Sequence, residues 1–66
     1  MTLMPEGEHK FEIWQSGEAV GYVERGRGSA GAHEWRAAIY GRPIWTLDEN
    51  PYLAAVMAIR HMNGVS

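Results

Sequence analysis

A glycine-rich segment near the middle of the chain has the spacing of a phosphate-binding motif. Residues 26–31 spell Gly-Arg-Gly-Ser-Ala-Gly, which matches the pattern G-x-G-x-x-G. That pattern holds a dinucleotide only when a strand precedes it and a helix opens directly after it, in a βαβ unit of about 30 residues. Residues 34–40 alternate in the manner of a strand instead, so we predict a loop without a nucleotide.

The chain has no cysteine, so its candidate metal ligands are three histidines and eight acidic residues. His9, His33 and His61 lie far apart, and no spacing gathers them or orders a Ser/His/Asp set. His61 suits the negative end of a helix dipole. A chain of 66 residues without a cofactor motif rarely encloses a water-free pocket. We therefore expect no metal, no cofactor and no enzymatic activity.

Three arginines in or near the glycine-rich segment are candidate contacts for nucleic-acid phosphate or for an acidic protein surface. They are Arg25, Arg27 and Arg36. Guanidinium groups bind either kind of anion through paired hydrogen bonds. The alternative stays open that the segment is a solvated loop with no ligand.

The composition describes one small globular domain. The chain has 66 residues, of which 45% are apolar. A chain of this size buries roughly 60% of its unfolded surface. No run of about 18 apolar residues predicts a membrane span, and the first residues lack the basic and then apolar regions of a signal peptide. We expect a cytoplasmic protein without membrane contact.

The net charge of −2 is unevenly distributed. Residues 1–24 carry five glutamates against one lysine, whereas residues 25–47 carry four arginines against one glutamate. Neutralisation of phosphates supplies most of the affinity in DNA binding, so dedicated DNA-binding domains usually have a basic excess. The acidic first part favours a protein partner, and only the middle third favours nucleic acid.

The elements that position these residues begin with a β-hairpin. Residues 1–8 contain a proline, a glycine and two glutamates, which predicts a flexible N-terminal arm before a single domain at 9–66. Alternation from residue 9 onward predicts two strands joined by a two-residue turn at 16–17. That register places Ile13 opposite Val20 and Phe11 opposite Tyr22, with the apolar side chains on one face.

Further strands and a helix complete the predicted fold. Residues 34–40 predict a third strand, and residues 44–47 could form a fourth at an edge, because Pro43 donates no hydrogen bond. Asn50 is a good N-cap, Pro51 suits the first helical position, and Gly64 suits the helix end. The fold class is α+β: a small antiparallel three- to four-stranded sheet, with the β-hairpin first, packed on one C-terminal α-helix, of ββ(β)βα type.

The helix is the most informative element, because it lacks a charged stripe. At about 100° per residue its apolar arc covers more than half of the circumference, and its polar residues lie in the last turn. One small sheet covers only one side of such a helix. We therefore predict that the outward sector, with Ala54, Ala58 and His61, contacts a partner or a second copy. The alternative is that the alanines are neutral surface residues, since alanine is the best helix former.

The sheet face away from the helix is the second predicted contact surface. It is expected to carry Trp14, Val23, Tyr40 and Trp45, and clustered exposed aromatic residues are typical of contact surfaces. The alternative is that Trp14 covers its own hairpin above Gly21. Together with the acidic hairpin, the predicted protein-binding residues are Glu12, Trp14, Glu18, Tyr40, Ala54, Ala58 and His61.

The run WRAAIYGRPIWTL at 35–47, followed by a helix, resembles the sheet-then-helix layout of the arm-binding domains of integrases. The resemblance covers about half of the chain and implies a sheet that reads double-stranded DNA in the major groove. The exposed face would then present Arg36, Tyr40, Lys10 and Trp14. The chain departs from that layout because Glu12 shares the face and the helix lacks a basic stripe.

A non-enzymatic protein-binding module is the leading function hypothesis. By size and charge the chain is similar to phage-borne anti-defence proteins such as anti-CRISPRs, which implies an inhibitor or adaptor. In that hypothesis Glu8, Glu12, Glu18 and Glu24 imitate phosphates in the basic groove of a nucleic-acid-handling enzyme. Sheet-mediated DNA binding and a homodimer that closes its own helix face are the alternatives.

Overall fold

The computed structural model describes residues 1–26 and 34–64, and five strands and one helix lie in these ranges. The elements are β1 (Thr2–Gly7), β2 (Lys10–Gln15), β3 (Glu18–Arg25), β4 (Trp35–Ile39), β5 (Trp45–Asp48) and α1 (Pro51–Met62). The strands form one antiparallel sheet in the order β1-β2-β3-β4-β5. The α+β class is thus confirmed, with five strands in place of three or four. Arg27 and His33, with most of the predicted loop, lie outside the described residues.

The additional strand is β1, at residues for which the sequence predicts a flexible arm. β1 pairs antiparallel with β2, and Leu3 lies opposite Ile13 and packs against the core. The apolar contact of Leu3 therefore anchors the segment. Pro5 fits because β1 is an edge strand, where a missing N–H leaves no neighbouring strand without a donor. The prediction of an arm at 1–8 is wrong for residues 2–7.

A β-bulge at Val20 changes the register of the first hairpin. Trp14 pairs with Ala19, but Ile13 pairs with Gly21, so Val20 is an extra residue in β3. The predicted register, with Ile13 opposite Val20, is therefore wrong beyond the first pairs after the turn.

The bulge also exchanges the faces on which the side chains of β3 lie. Val23 is fully buried against the helix side, whereas Tyr22 pairs with Glu12 on the other side. The sequence prediction placed Val23 outside and Tyr22 inside, and both placements are wrong. One inserted residue is enough to do this, because the side chains of a strand alternate with a period of two.

Gly21, directly after the bulge, lets β3 approach β4 closely. A Cβ atom at Gly21 would overlap the backbone carbonyl oxygen of Ala38 and would lie 3.2 Å from the Cα atom of Ile39. Backbone atoms within a paired strand cannot move aside as the end of a flexible side chain can. The position therefore requires glycine.

The predicted turn and helix ends are confirmed. Ser16 and Gly17 have positive φ angles of 54° and 80°, as a type I′ hairpin turn requires. The side chain of Asn50 accepts hydrogen bonds from two first-turn N–H groups of α1 at 2.8 and 3.2 Å. Gly64 has a φ of 76° directly after the C-cap. These local features fix where β2, β3 and α1 begin or end.

α1 packs across β3, β4 and β5 with its alanines against the sheet. Ala54, Ala55 and Ala58 are fully buried, and Ile59 is 8% exposed. The hydroxyl of Thr46 in β5 donates a buried hydrogen bond to the carbonyl oxygen of Ala54 at 2.6 Å. Small side chains on this face let the helix backbone come within hydrogen-bonding distance of a strand side chain.

The prediction that Ala54 and Ala58 face outward is therefore wrong. The expected orientation placed Tyr52 and Leu53 on the sheet together with Ile59, whereas α1 is rotated so that Ile59 is buried beside the three alanines. Leu53 and Tyr52 are 48% and 54% exposed. The alanines belong to the core of the chain itself and offer no surface to a partner.

Candidate functional site

One face of the sheet carries α1, and no described element packs on the other, which we call the open face. Pairing aligns one row of open-face residues across all five strands: Met4, Glu12, Tyr22, Ala38 and Trp45. A second row contains Lys10, Glu24, Arg36 and Leu47. Trp14 and Tyr40 lie on the same face, as predicted, so aromatic side chains from β2, β3, β5 and the residue after β4 share one surface.

Glu12 connects the aromatic residues at the centre of the open face. Its Oε1 atom accepts a hydrogen bond from the indole Nε1 of Trp14 at 2.8 Å. Its Oε2 atom accepts a longer one from the hydroxyl of Tyr40 at 3.4 Å. Both oxygens of one carboxylate are thus used to orient two aromatic side chains, which limits their rotamers before any partner arrives.

Tyr22 and Lys10 extend this arrangement toward the next row. The rings of Tyr22 and Tyr40 lie 6.0 Å apart between centroids, and the ammonium of Lys10 lies 5.0 Å from the centroid of the Tyr22 ring. These distances fit an aromatic pair and a cation–π contact. We call Lys10, Glu12, Trp14, Tyr22 and Tyr40 the open-face cluster.

The environment of Tyr40 favours the protonated form of its phenol, which at neutral pH is also the form of an unperturbed tyrosine. Partial burial raises the pKa of Tyr40 above the ordinary value of 10.0, and the carboxylates of Glu12 and Glu6 raise it further. The side chain is nevertheless 49% exposed. At neutral pH Tyr40 is therefore a hydrogen-bond donor that is reachable from solvent and held in place by Glu12.

The predicted acidic residues do not form one surface. Glu12 and Glu24 lie on the open face, but Glu18 pairs with Gln15 and shares its side of the sheet, which is the helix side. Within the second row Glu24 lies between Lys10 and Arg36, so the charge alternates along it. The prediction of one acidic surface that imitates phosphates is therefore not supported by the register.

The predicted arginine group is also divided. Arg25 pairs with Trp35 on the helix side, whereas Arg36 lies on the open face. Arg36 instead shares a shallow cleft of about 250 Å³ with Arg42, and the aromatic side chains of Tyr22 and Trp45 line the same cleft.

A wider cleft of about 860 Å³ lies at the end of the sheet where β3 ends and β4 begins. Residues of both charge signs line it, among them Glu8, His9, Lys10, Glu24, Arg25, Glu34 and Arg36. Among residues 1–26 and 34–64, no three His, Asp or Glu side chains lie in a position to hold a metal ion.

The outward side of α1 differs from the predicted one. His61 is exposed, as expected, but its outward neighbours include Tyr52 and Leu53 rather than Ala54 and Ala58. The first two turns of α1 carry no charged stripe, as expected, and their outward residues are large and apolar.

The sequence interpretation misses three open-face residues. It places Tyr22 in the core, because strict alternation leaves out the bulge, and it gives no contact role to Met4 or Leu47, which are 48% and 46% exposed. An isolated glycine within a strand pattern is a known indication of a bulge. Gly21 was therefore the feature from which the placement of Tyr22 could have been predicted.

No protein-family model, no curated protein and no solved structure matches this chain. In the described ranges α1 is too short to cross a membrane, and no other helix is present there. The geometry of the open face is therefore the basis for a functional proposal.

Proposed function

We propose that this chain is a non-enzymatic protein-binding module, acting as an inhibitor or adaptor, and that it binds a protein partner through the open face. The supporting observation is the open-face cluster, in which Glu12 orients Trp14 and Tyr40 by hydrogen bonds at 2.8 and 3.4 Å. Tyrosine, tryptophan and arginine dominate the energetics of protein interfaces. Rigid aromatic residues also lose little entropy on binding.

The charges on the open face favour a protein over a polyanion. Lys10 and Arg36 are offset by Glu12 and Glu24, so the two central rows carry no net charge. A balanced surface gives no long-range attraction to phosphates, whereas alternating charges around aromatic residues suit the mixed polar and apolar surface of a folded protein. The partner is therefore expected to offer apolar pockets for Tyr40 and Trp45.

Two tyrosines of similar exposure provide a matched test of the surface. Tyr40 is 49% exposed on the open face, and Tyr52 is 54% exposed on α1. We expect Tyr40→Ala to weaken binding of the partner by about 5- to 30-fold, the effect of removing an interface anchor, and Tyr52→Ala to leave it unchanged. The partner is first identified by cross-linking and mass spectrometry, and its affinity is then measured with purified proteins. Equal effects of the two variants would refute the proposal.

Two charge reversals distinguish binding through the open face from binding through the general negative charge of the hairpin. Glu12 lies in the open-face cluster, whereas Glu18 lies at the turn on the helix side. Glu12→Lys should abolish capture of the partner, and Glu18→Lys should leave it intact. If both reversals reduce capture equally, general negative charge rather than the open face recruits the partner. Unchanged capture by both variants would show that neither glutamate contributes to binding of the partner.

Sheet-mediated binding of double-stranded DNA is the second candidate, and the cleft lined by Arg36, Arg42, Tyr22 and Trp45 favours it. Two phosphate contacts predict that the logarithm of the binding constant falls with the logarithm of salt concentration at a slope of about −2. Arg36→Ala should abolish retardation of mixed-sequence DNA in a gel. The absence of any retardation at low salt would remove this candidate.

A further inference from the structure

The two edges of the sheet differ in how they resist pairing with another strand. At one edge β1 contains Pro5, which donates no hydrogen bond, and a register shift between Pro5 and Gly7. Glu6 adds a charge, paired with Lys10 at 3.7 Å. Prolines, bulges and charges are the usual devices that prevent edge pairing. β5 (Trp45–Asp48), at the other edge, contains no proline and no bulge, and its one charge is its last residue; Pro43 lies two residues before the strand begins.

The backbone of β5 offers its free hydrogen-bonding groups at two apolar residues. Ile39 donates its N–H to the carbonyl oxygen of Ile44 at 3.2 Å, which marks that pair as hydrogen-bonded. Bonded and non-bonded pairs alternate in an antiparallel ladder. Thr46, opposite Ala37, therefore bonds toward β4, and the N–H and C=O groups of Trp45 and Leu47 point away from the sheet.

Two large apolar side chains of this short edge strand are exposed on the open face. They are Trp45 and Leu47, and Leu47 is 46% exposed. Trp45 is the more exposed of the two, at 63%. Leaving such side chains in water next to an unprotected strand is unfavourable unless another strand covers them.

The charges that flank β5 are complementary to a second copy of the same strand. Arg42 precedes the strand, and Asp48 and Glu49 end and follow it. In an antiparallel pair related by a two-fold axis at Thr46, the basic flank of each copy lies beside the acidic flank of the other. The same register places Trp45 opposite Leu47 of the second copy, which joins their outward backbone groups and their apolar side chains.

We infer that β5 is a self-association edge, through which two copies of the chain pair antiparallel and form one continuous sheet. The contact is isologous, since the same residues of each copy meet. Both helices then lie on one side, and two open faces join on the other. The inference does not rest on the proposed function, because dimerisation is measured without the protein partner. Two short strands bury less than a standard interface, so the dimer is expected to be a weak one that forms at high protein concentration.

Sedimentation equilibrium at up to about 1 mM protein, which separates the 7.4 kDa monomer from a dimer, provides the first test. Trp45→Lys, which places a charge on the edge, should weaken the dimer by about 30-fold or more. Met4→Lys is the matched control at the β1 edge, because Met4 is also exposed, at 48%. It should leave the dimer unchanged. A wild-type chain that stays monomeric, or a dimer unaffected by Trp45→Lys, would overturn the inference.

Charge complementation tests the antiparallel register itself. Arg42→Glu alone and Glu49→Arg alone each place like charges beside each other in the dimer, and each should weaken it by about three- to tenfold. An equimolar mixture of the two variants restores opposite charges at both contacts of a mixed dimer. We expect the mixture to associate as tightly as the wild type. A mixture that associates no better than either variant alone would overturn the register.

Discussion

A charged residue at Ala58 should unfold the domain, because Ala58 is fully buried between α1 and the sheet. A glutamate there must stay protonated, and keeping it so at pH 7 costs about 3.7 kcal/mol, from the 2.7 pH units above the usual glutamate pKa. The larger side chain adds about 1–3 kcal/mol of overpacking. The sum is comparable to the whole stability expected of a chain of this size, about 3–10 kcal/mol.

The matched control is Leu53→Glu, on the outward side of the same helix. Leu53 is 48% exposed, and its N–H already bonds to the side chain of Asn50. A glutamate at this position completes a capping box with Asn50 and lies at the positive end of the helix dipole. We therefore expect Leu53→Glu to change the free energy of unfolding by about 1 kcal/mol or less.

Urea unfolding distinguishes the two variants when it is monitored by the near-ultraviolet circular dichroism of the three tryptophans. Ala58→Glu should show no folded baseline at pH 7. It should regain part of its stability toward pH 4, because a carboxyl whose folded-state pKa is raised destabilises only above its unfolded-state pKa. Equal urea midpoints for Ala58→Glu and Leu53→Glu would show that Ala58 faces solvent and would refute the assignment of the alanine face to the core.

Three further predictions concern the positions that shape the open face. Gly21→Ala should destabilise the domain by about 3 kcal/mol or more, because its Cβ meets the backbone of β4. Gly7→Ala, where a Cβ meets nothing within 4 Å, is the control and should lose less than about 1 kcal/mol in the same urea experiment. Ser16→Asn should raise the free energy of unfolding by about 0.5 kcal/mol, and with it the urea midpoint, because asparagine tolerates the positive φ of 54° better than serine. An unchanged midpoint would contradict this. Glu12→Gln should lower the pKa of Tyr40 toward its ordinary value, as measured by NMR titration of the tyrosine ring carbons, and a pKa that does not move would show that Glu12 does not contact the phenol.

The parts of the fold that were predicted correctly depend on short-range chemistry. The hairpin turn follows from the tolerance of Gly17 for positive φ, and the helix start follows from the side-chain oxygen of Asn50. Such features need only two or three neighbouring residues, so they can be recognised without knowledge of the tertiary structure. The third and fourth predicted strands, observed as β4 and β5, follow from alternation in the same way.

The parts that were predicted wrongly depend on contacts between distant segments. β1 exists because Leu3 packs against the core that later strands and α1 build, and its composition alone resembles a loop. The inward side of α1 combines three alanines with Ile59, and Ala54 lies close enough to Thr46 for a hydrogen bond at 2.6 Å. Hydrophobic periodicity does not show which part of a wide apolar arc faces the sheet, because that depends on the fit between distant segments.

The bulge at Val20 connects the fold to the candidate site. Without the extra residue, Tyr22 would lie on the helix side and Val23 on the open face, and the row from Met4 to Trp45 would lose its central aromatic residue. Gly21 makes this arrangement possible, because a Cβ atom directly after the bulge would overlap the backbone of β4. A single inserted residue and a single missing Cβ therefore turn an ordinary two-sided hairpin into one that buries valine on one side and presents tyrosine on the other. The binding capacity proposed for the open face rests on this register rather than on the composition of β3, which would be the same in either register.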